Sequence, residues 1–270
     1  MHAAKAWGGS VAERQDIAWK HTPDDLSAFS RGEGPGTPVR MLSRLARAGV
    51  KDAIELSERK PDWIRPRVSH GTEVLDVKKT LRDHSLVTVC EEAGCPNLSE
   101  CWSDGTATFM VLGERCTRAC GFCLIDTSKP IAPDADEPAR IAAAVAEMGL
   151  SYVVLTMVAR DDLADEGMGH IAECVEAIRR LDSTIQVETL ISDARGTASL
   201  DIILDAAPDV LNHNVETVPR LQRAVRPSAG YARSLSVLAR AKAHGRTVKS
   251  GLIVGMGETD EEVVGVLADL

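Results

Sequence analysis

The sequence predicts an α/β protein, a partial TIM-type (β/α)6 barrel that follows an N-terminal cysteine-rich extension. From Thr106 onward, short apolar runs alternate with amphipathic ones, which is the pattern of repeated βα units around a parallel sheet. A length of 270 residues is also common for a single domain of this type. We therefore expect three segments: a flexible or loosely docked extension over residues 1–59, a segment that carries cysteines over residues 60–105, and the barrel over residues 106–270.

The barrel segment contains five strand candidates, with helix candidates between and after them. The strands are predicted at residues 106–112, 152–156, 184–190, 209–214 and 248–254. A first helix is indicated by the spacing of Ile141, Ala144, Val145 and Met148. The last helix begins with a capping box, and an apolar stripe follows it; these residues are Thr259, Glu262, Val263, Val266, Leu267 and Leu270. The stripe reaches the last residue without a C-terminal cap or a following strand, so we expect the barrel to be truncated there.

Composition narrows the class of protein. The net charge of -9 argues against a broad phosphate-binding surface, so no nucleic-acid partner is expected. No stretch approaches the roughly eighteen consecutive apolar residues of a membrane span, and residues 1–30 lack the apolar core of a secretory signal. We expect an intracellular, cytoplasmic protein without a membrane partner.

Six of the seven cysteines lie between Cys90 and Cys123. Such clustering in an intracellular chain points to metal binding or catalysis rather than to disulfide bonds. Cys174 stands apart and shares a helical spacing with Ile171, Val175 and Ile178, so it is expected to be a small apolar residue on a buried helix face.

The second group of cysteines, Cys116, Cys120 and Cys123, has the spacing C-x3-C-x2-C and follows the first predicted strand. Three thiolates suit three irons of a 4Fe-4S cluster and leave the fourth iron open. An open iron can chelate the amino and carboxylate groups of S-adenosylmethionine and pass an electron to its sulfonium. Zinc is the alternative, but it requires four closing ligands, and no histidine occurs between His84 and His170.

The first group, Cys90, Cys95 and Cys101, has the spacing C-x4-C-x5-C, which is not that of a zinc finger. Three thiols again suggest a cluster, with a fourth ligand from elsewhere. Spaced cysteines can also be ordinary core residues. The presence of the other triplet favours the cluster.

Several segments of this sequence closely resemble the lipoyl synthase family of the radical S-adenosylmethionine superfamily. They are RKPDWIRPR from Arg59, TVCEEAGCPNLSECW from Thr88, GTATFMVLGERCTRACGFC from Gly105, NHNVETVP from Asn212 and KSGLIVGMGE from Lys249. The resemblance covers roughly residues 60–270, and the C-x4-C-x5-C triplet is diagnostic within the superfamily.

The resemblance implies an activity and its cofactors. Two sulfur atoms would be inserted, at carbons 6 and 8, into an octanoyl chain linked to a lysine of a lipoyl carrier domain. Cys116, Cys120 and Cys123 would hold the 4Fe-4S cluster that cleaves S-adenosylmethionine, and Cys90, Cys95 and Cys101 would hold a second 4Fe-4S cluster that is consumed as the sulfur donor. The implied partners are octanoylated carriers (2-oxo acid dehydrogenase E2 subunits and glycine cleavage H protein), a low-potential electron donor and an iron-sulfur carrier protein.

Further candidate residues lie near the ends of the later strands. Gly251, Ile253, Gly255 and Glu258 fit a G-x-I-x-G-x-x-E pattern that, in the superfamily, packs beneath the adenine; an ordinary turn is the alternative. Polar residues at the carboxyl ends of parallel strands point toward the ligand, so they are candidate S-adenosylmethionine or substrate contacts: Glu188, Asn214, Glu216 and Lys249, with Arg226 as a carboxylate partner. His213 is expected to be a satisfied core histidine, and Arg160, Asp161 and Asp162 to orient the structure or a ligand.

This chain departs from the family in three places. Ala159 stands where many relatives have Asp, and Ser192-Asp193-Ala194 stands where they have Pro-Asp-Phe. The family also supplies the fourth ligand of the second cluster from a serine beyond Leu270, so a truncated chain could be inactive. Competing hypotheses are another sulfur-inserting radical enzyme of the biotin synthase type, and an iron-sulfur scaffold or electron carrier.

Overall fold

A single mixed sheet organises the described part of the chain. In this computed structural model the structure describes residues 43–50, 72–92, 97–104, 106–123 and 125–270. The sheet follows the order of the chain from one edge to the other, with strands β1 (Val87–Thr88), β2 (Thr106–Val111), β3 (Tyr152–Met157), β4 (Gln186–Leu190), β5 (Val210–Asn212) and β6 (Thr247–Lys249). Strands β2 to β6 are parallel, whereas β1 is antiparallel to β2. Neighbouring strands in sequence order are what the wall of a βα barrel requires.

Helices connect the parallel strands, and shorter helices precede them. The early ones are α1 (Thr72–Asp83), α2 (Val89–Glu92) and α3 (Leu98–Ser103). The later ones are α4 (Glu137–Met148), α5 (Met168–Leu181), α6 (Thr197–Asp205), the 3-10 turn Pro219–Leu221, α7 (Gln222–Val225), α8 (Tyr231–Ala243) and α9 (Asp260–Asp269). The alternation of strands and helices confirms the predicted α/β class.

The two faces of the sheet differ in chemistry, because side chains alternate along a strand. Phe109, Leu155 and Leu211 are aligned across β2, β3 and β5, and all three are fully buried in the main core with α4 and α5. Glu188 and Lys249 occupy the alternate positions of their strands, so their side chains lie on the other face of the sheet. That inner face carries polar side chains, as the interior of an active-site barrel does.

The predicted strands are present but some are shorter than predicted. β5 ends at Asn212 and β6 ends at Lys249, so the residues that follow them form loops. After β5 and β6, an isolated parallel bridge pairs Glu216 with Leu252. The chain turns at Glu216, whose φ of 63° lies in the left-handed region and interrupts an extended strand.

The predicted helices are confirmed. Ile141, Ala144 and Val145 are buried on one face of α4, and Cys174 is fully buried on α5. Thr259 and Glu262 form the capping box at the start of α9. Of the predicted stripe on α9, Val266 is buried but Leu267 is 62% exposed, because the helix rests on the core through the face centred on Val266.

Residues 43–50 pack against the later part of the chain. Leu45 is buried in a second core with Val215, Val218 and Leu221. The guanidinium of Arg220 donates to the carbonyl oxygen of Ala48 at 3.0 Å. The rest of the segment 1–59 lies outside the described residues, and the division of the chain at residues 59 and 105 remains a prediction.

Candidate active site

The turn from Cys116 to Cys123 lies at the carboxyl end of β2. A parallel bridge between Arg115 and Asp126 closes the base of the turn, and the Cys116 amide donates to the Asp126 carbonyl at 2.8 Å. At the other side, the Gly121 amide donates to the carbonyl of Val225 at 2.7 Å. The three thiols are therefore held at the edge of the sheet where the catalytic loops of a parallel barrel gather.

Buried surroundings govern the chemistry of these thiols. Burial raises the pKa of Cys120, although the nearby guanidinium of Arg226 opposes the shift. Burial also raises the pKa of Cys123, opposed by a hydrogen bond from the backbone of Ile125. Both groups are therefore neutral thiols at pH 7 without a metal, and metal binding must release their protons.

The Cys116 sulfur accepts two backbone hydrogen bonds. The amides of Arg118 and Ala159 donate to Sγ at 3.4 and 3.3 Å. Backbone donors to a ligand sulfur are among the features that set the potential of an iron-sulfur cluster. Within the described ranges, no three His, Cys, Asp or Glu side chains are arranged to hold one metal ion. Three soft thiols on one turn fit a 4Fe-4S cluster, whose corner irons each take a separate thiolate.

The segments that follow β5 and β6 run side by side next to this turn. The Glu216 amide donates to the Gly251 carbonyl at 3.0 Å, and the Ile253 amide donates to the Glu216 carbonyl at 2.9 Å. Asn214 lies so close to Gly251 that a β-carbon there would approach its Oδ1 to 2.8 Å. The structure thus brings together Asn214, Glu216, Gly251 and Ile253, which the sequence placed in one candidate group.

Arg226 links this group to the cysteine turn. Its guanidinium donates to the carbonyls of Asn214 and Val215 at 3.0 and 3.2 Å, and it also hydrogen-bonds Cys120. Burial raises the pKa of Glu216, although Asn214 and Arg226 oppose the shift. Arg226 is therefore a fixed positive charge between the thiols and the loops after β5 and β6.

Glu258 accepts hydrogen bonds from backbone amides of its own loop. Its carboxylate accepts from the amide of Met256 at 2.9 Å and from the amide of Gly255. Gly255 and Gly257 have φ values of 98° and 106°, which few other residues adopt. The contacts of Glu258 hold the glycine loop in this shape, directly before α9.

Glu188 and Lys249 belong to a separate polar cluster on the inner face of the sheet. Glu188 is 2% exposed and accepts from Tyr152 Oη at 2.7 Å, from Asn212 Nδ2 at 2.8 Å and from Lys249 Nζ at 2.9 Å. Burial alone would raise its pKa, but these hydrogen bonds together hold the pKa of Glu188 below its usual value. Glu188 thus already has protein donors on both oxygens, while Lys249 is more exposed.

His213 has the role that its sequence context predicts. It is 1% exposed; Nδ1 lies 3.0 Å from the carbonyl of Ile191, and Nε2 lies 2.9 Å from Ser234 Oγ. Burial lowers its pKa to about 4, so the ring is neutral at pH 7. His213 is a satisfied core histidine.

Sequence reasoning missed a buried ion-pair network beneath the cysteine turn. Arg118 pairs with Asp161 at 2.6 Å and also contacts the carboxylate of Asp193. Asp162 instead pairs with Arg160 at 2.8 Å, so the two adjacent carboxylates serve different partners. The sequence does show charged residues after each of β2, β3 and β4, but this pattern does not identify which of them form ion pairs.

The first cysteine triplet is described in part. Cys90 is buried in α2 and Cys101 is half-buried in α3, while Cys95 lies outside the described residues. Both helices pack against β2. The adjoining Trp102 is 3% exposed, so this part of the extension belongs to the main core.

A family model, that of the radical SAM superfamily, matches residues 110–270. The matched range begins within β2 and includes the C-x3-C-x2-C turn and strands β3 to β6. The chain is therefore a radical SAM protein, a class whose members use a 4Fe-4S cluster and S-adenosylmethionine. The FeFe-hydrogenase maturase HydG from Carboxydothermus hydrogenoformans has a similar fold, with a TM-score of 0.51 and 14% identity, over 96% of this chain and 53% of HydG.

Similarity to curated proteins is closer. Lipoyl synthase from Stutzerimonas stutzeri (strain A1501) is 50% identical over 238 residues, which are 86% of this chain and 73% of the relative. Lipoyl synthase from Pseudomonas syringae pv. tomato is 50% identical over 239 residues, covering 86% of this chain and 74% of the relative. This chain belongs to the lipoyl synthase family. Among the residues that the structure describes, no helix is long and apolar enough to span a membrane.

Proposed function

We propose that this chain inserts two sulfur atoms, at carbons 6 and 8, into an octanoyl chain attached to a lysine of a lipoyl carrier domain. S-adenosylmethionine would be cleaved to methionine and 5'-deoxyadenosine in the process. The observation that carries the proposal is the 50% identity to lipoyl synthases over 86% of the chain, which includes both cysteine triplets. The half-buried thiol turn at the carboxyl end of β2 supports it.

Cys116, Cys120 and Cys123 are the proposed ligands of the cluster that works on S-adenosylmethionine. When bound, that cluster supplies a low-potential electron to the sulfonium. The residues around it have their own tasks. Backbone amides donate to the Cys116 sulfur, and Arg226 places a positive charge beside Cys120.

The loops after β5 and β6 are the proposed S-adenosylmethionine contacts. Gly251 lets the chain approach closely, Asn214 and Glu216 offer polar groups, and Ile253 offers an apolar surface. Gly255 and Glu258 hold the adjoining loop. Lys249, fixed by Glu188, presents an ammonium group on the inner face of the sheet.

Cys90, Cys95 and Cys101 are the proposed ligands of a second 4Fe-4S cluster, which supplies the sulfur. An unactivated aliphatic C–H is too weakly acidic for a general base, so a radical route and a nearby sulfide are required. The proposed partners are octanoylated E2 subunits and glycine cleavage H protein, a low-potential electron donor and an iron-sulfur carrier protein. A cytoplasmic location is proposed with them.

The test is anaerobic reconstitution of the chain, followed by iron and sulfide analysis and product detection with an octanoyl-lysine peptide. Two four-iron clusters give about eight irons per chain, and replacing either cysteine triplet with alanine should leave about four. The variant that lacks Cys90, Cys95 and Cys101 should still form 5'-deoxyadenosine but no thiolated peptide.

Cys174→Ala is the matched control, because this buried thiol lies away from both triplets on α5 and burial raises its pKa strongly. It should retain the full iron content. Methionine and 5'-deoxyadenosine without any thiolated peptide, both from the unaltered chain and from a chain extended by its natural C-terminal residues, would contradict the proposed sulfur insertion. That outcome would favour a different radical enzyme.

A further inference from the structure

The side chain of Arg118 is unusual for the middle of a metal-binding turn. It lies between Cys116 and Cys120 in the sequence, yet it is only 6% exposed. Its Nε and Nη2 donate to the two oxygens of Asp161 at 2.8 and 2.6 Å, and Nη1 contacts a carboxylate oxygen of Asp193. A buried guanidinium needs such partners, because an unpaired buried charge is strongly unfavourable.

This clamp joins loops from three strands. Arg118 follows β2, Asp161 follows β3 and Asp193 follows β4. Thr117 adds to the same connection, since its hydroxyl accepts from the Asp161 amide at 3.0 Å and its own amide donates to the Ala159 carbonyl at 3.0 Å. The backbone amide of Ala159 in turn donates to Cys116 Sγ, so the position of this sulfur depends on the clamp.

Further charged side chains pair with the two carboxylates of the clamp. Arg195 pairs with Oδ2 of Asp161 at 3.1 Å, and Arg233 pairs with Asp193 at 2.8 Å. The clamp thus contains three guanidinium groups and two carboxylates, and the buried carboxylate of Glu166 adds a further negative charge near Arg118. Asp193 is fully buried, so solvent screens its charge little.

We propose that Arg118 is a positioning residue for the iron-sulfur cluster, and that its clamp with Asp161 and Asp193 sets both the shape of the cysteine turn and the reduction potential. This inference rests on the proposed function, because it requires Cys116, Cys120 and Cys123 to be ligands. Net charge and hydrogen bonds to sulfur are two of the features by which proteins shift the potential of such clusters.

Asp193→Asn tests the charge. The amide keeps the size and one acceptor oxygen but removes a buried negative charge, so the cluster should be easier to reduce. At a fixed potential the ratio of reduced to oxidised cluster should rise about tenfold, which is 59 mV for a one-electron couple. The measurement is a redox titration monitored by electron paramagnetic resonance. It uses a chain in which Cys90, Cys95 and Cys101 are replaced, so that the second cluster is absent.

Asp162→Asn is the matched control. It makes the same chemical change in a neighbouring carboxylate, but Asp162 is partly exposed and pairs with Arg160 instead of Arg118. Its potential should equal that of the unaltered protein. Equal potentials for Asp193→Asn and Asp162→Asn would overturn the inference.

Arg118→Lys tests the geometry of the clamp. It also keeps the inference testable if the Asp193→Asn variant fails to bind its cluster of about four irons. Lysine keeps the charge but lacks the planar fork that meets two carboxylates at once. The spectrum of the reduced cluster should broaden, and its change on adding S-adenosylmethionine should shrink. An unaltered spectrum would overturn the inference. A failure of the proposed function is distinguishable, because it would show as the absence of thiolated peptide from the unaltered protein, whereas this inference is tested by differences in potential and spectrum between the variants.

Discussion

Replacing Gly251 with alanine is expected to weaken S-adenosylmethionine binding through Asn214. An alanine β-carbon would lie 2.8 Å from Asn214 Oδ1 and 3.1 Å from its Cγ. Ordinary contacts lie at about 3.5–4.0 Å, so the carboxamide must move by roughly 0.7 Å. The backbone at Gly251 is not in the left-handed region, so alanine introduces no strain of its own there.

The displaced carboxamide loses its hydrogen bond to Glu216 and its position toward the ligand. One or two hydrogen bonds at about 1 kcal/mol each correspond to a roughly five- to thirtyfold weaker affinity. The assay is anaerobic equilibrium dialysis of S-adenosylmethionine with reconstituted protein. Gly265→Ala is the control, because a β-carbon on that helical glycine meets nothing within 4 Å.

A double-mutant cycle separates the mechanism from a general loss of fold. If displacement of Asn214 is the cause, Gly251→Ala should have little further effect in a chain that already carries Asn214→Ala. Additive losses would mean that Gly251 acts independently of Asn214. An unchanged affinity of Gly251→Ala would refute the reasoning altogether.

Three further predictions concern stability, measured by urea unfolding of the reduced apo-protein. The pKa of His213 is 6.5 in the unfolded chain and about 4 in the folded one. The full free energy of unfolding is therefore present above pH 6.5, and about 3 kcal/mol is lost as the pH falls toward 4. His213→Gln should flatten this part of the dependence of stability on pH, and an unaltered dependence would contradict the assignment. Glu188→Gln should cost about 2 kcal/mol of stability, because it weakens a buried charge-assisted contact with Lys249. A loss of stability below that of an exposed Glu261→Gln control would argue against a stabilising role for the polar side chains around Glu188. Thr259→Ala should cost about 1 kcal/mol through loss of the α9 cap. Thr197→Ala is the comparison, because Thr197 is the first residue inside α6 and Gly196 is the N-cap of that helix.

Local patterns in the sequence determined the secondary structure and the place of the thiols. Strands β2 to β6, the buried face of α4 and the capping box of α9 all follow from periodicity and capping residues over a few positions. The C-x3-C-x2-C turn after β2 is equally local, so its location at the carboxyl end of the sheet was predictable. Neighbouring residues in sequence carry this information.

Only the tertiary structure decided which polar groups meet. Tyr152 at the start of β3 and Asn212 at the end of β5 both reach Glu188, and Asp161 and Asp193 both reach Arg118. Residues 43–50, predicted with a loosely docked extension, contribute Leu45 to a buried core. These contacts depend on strand register and loop paths between distant segments, which periodicity does not encode, because a one-residue shift of register exchanges the face on which a side chain lies.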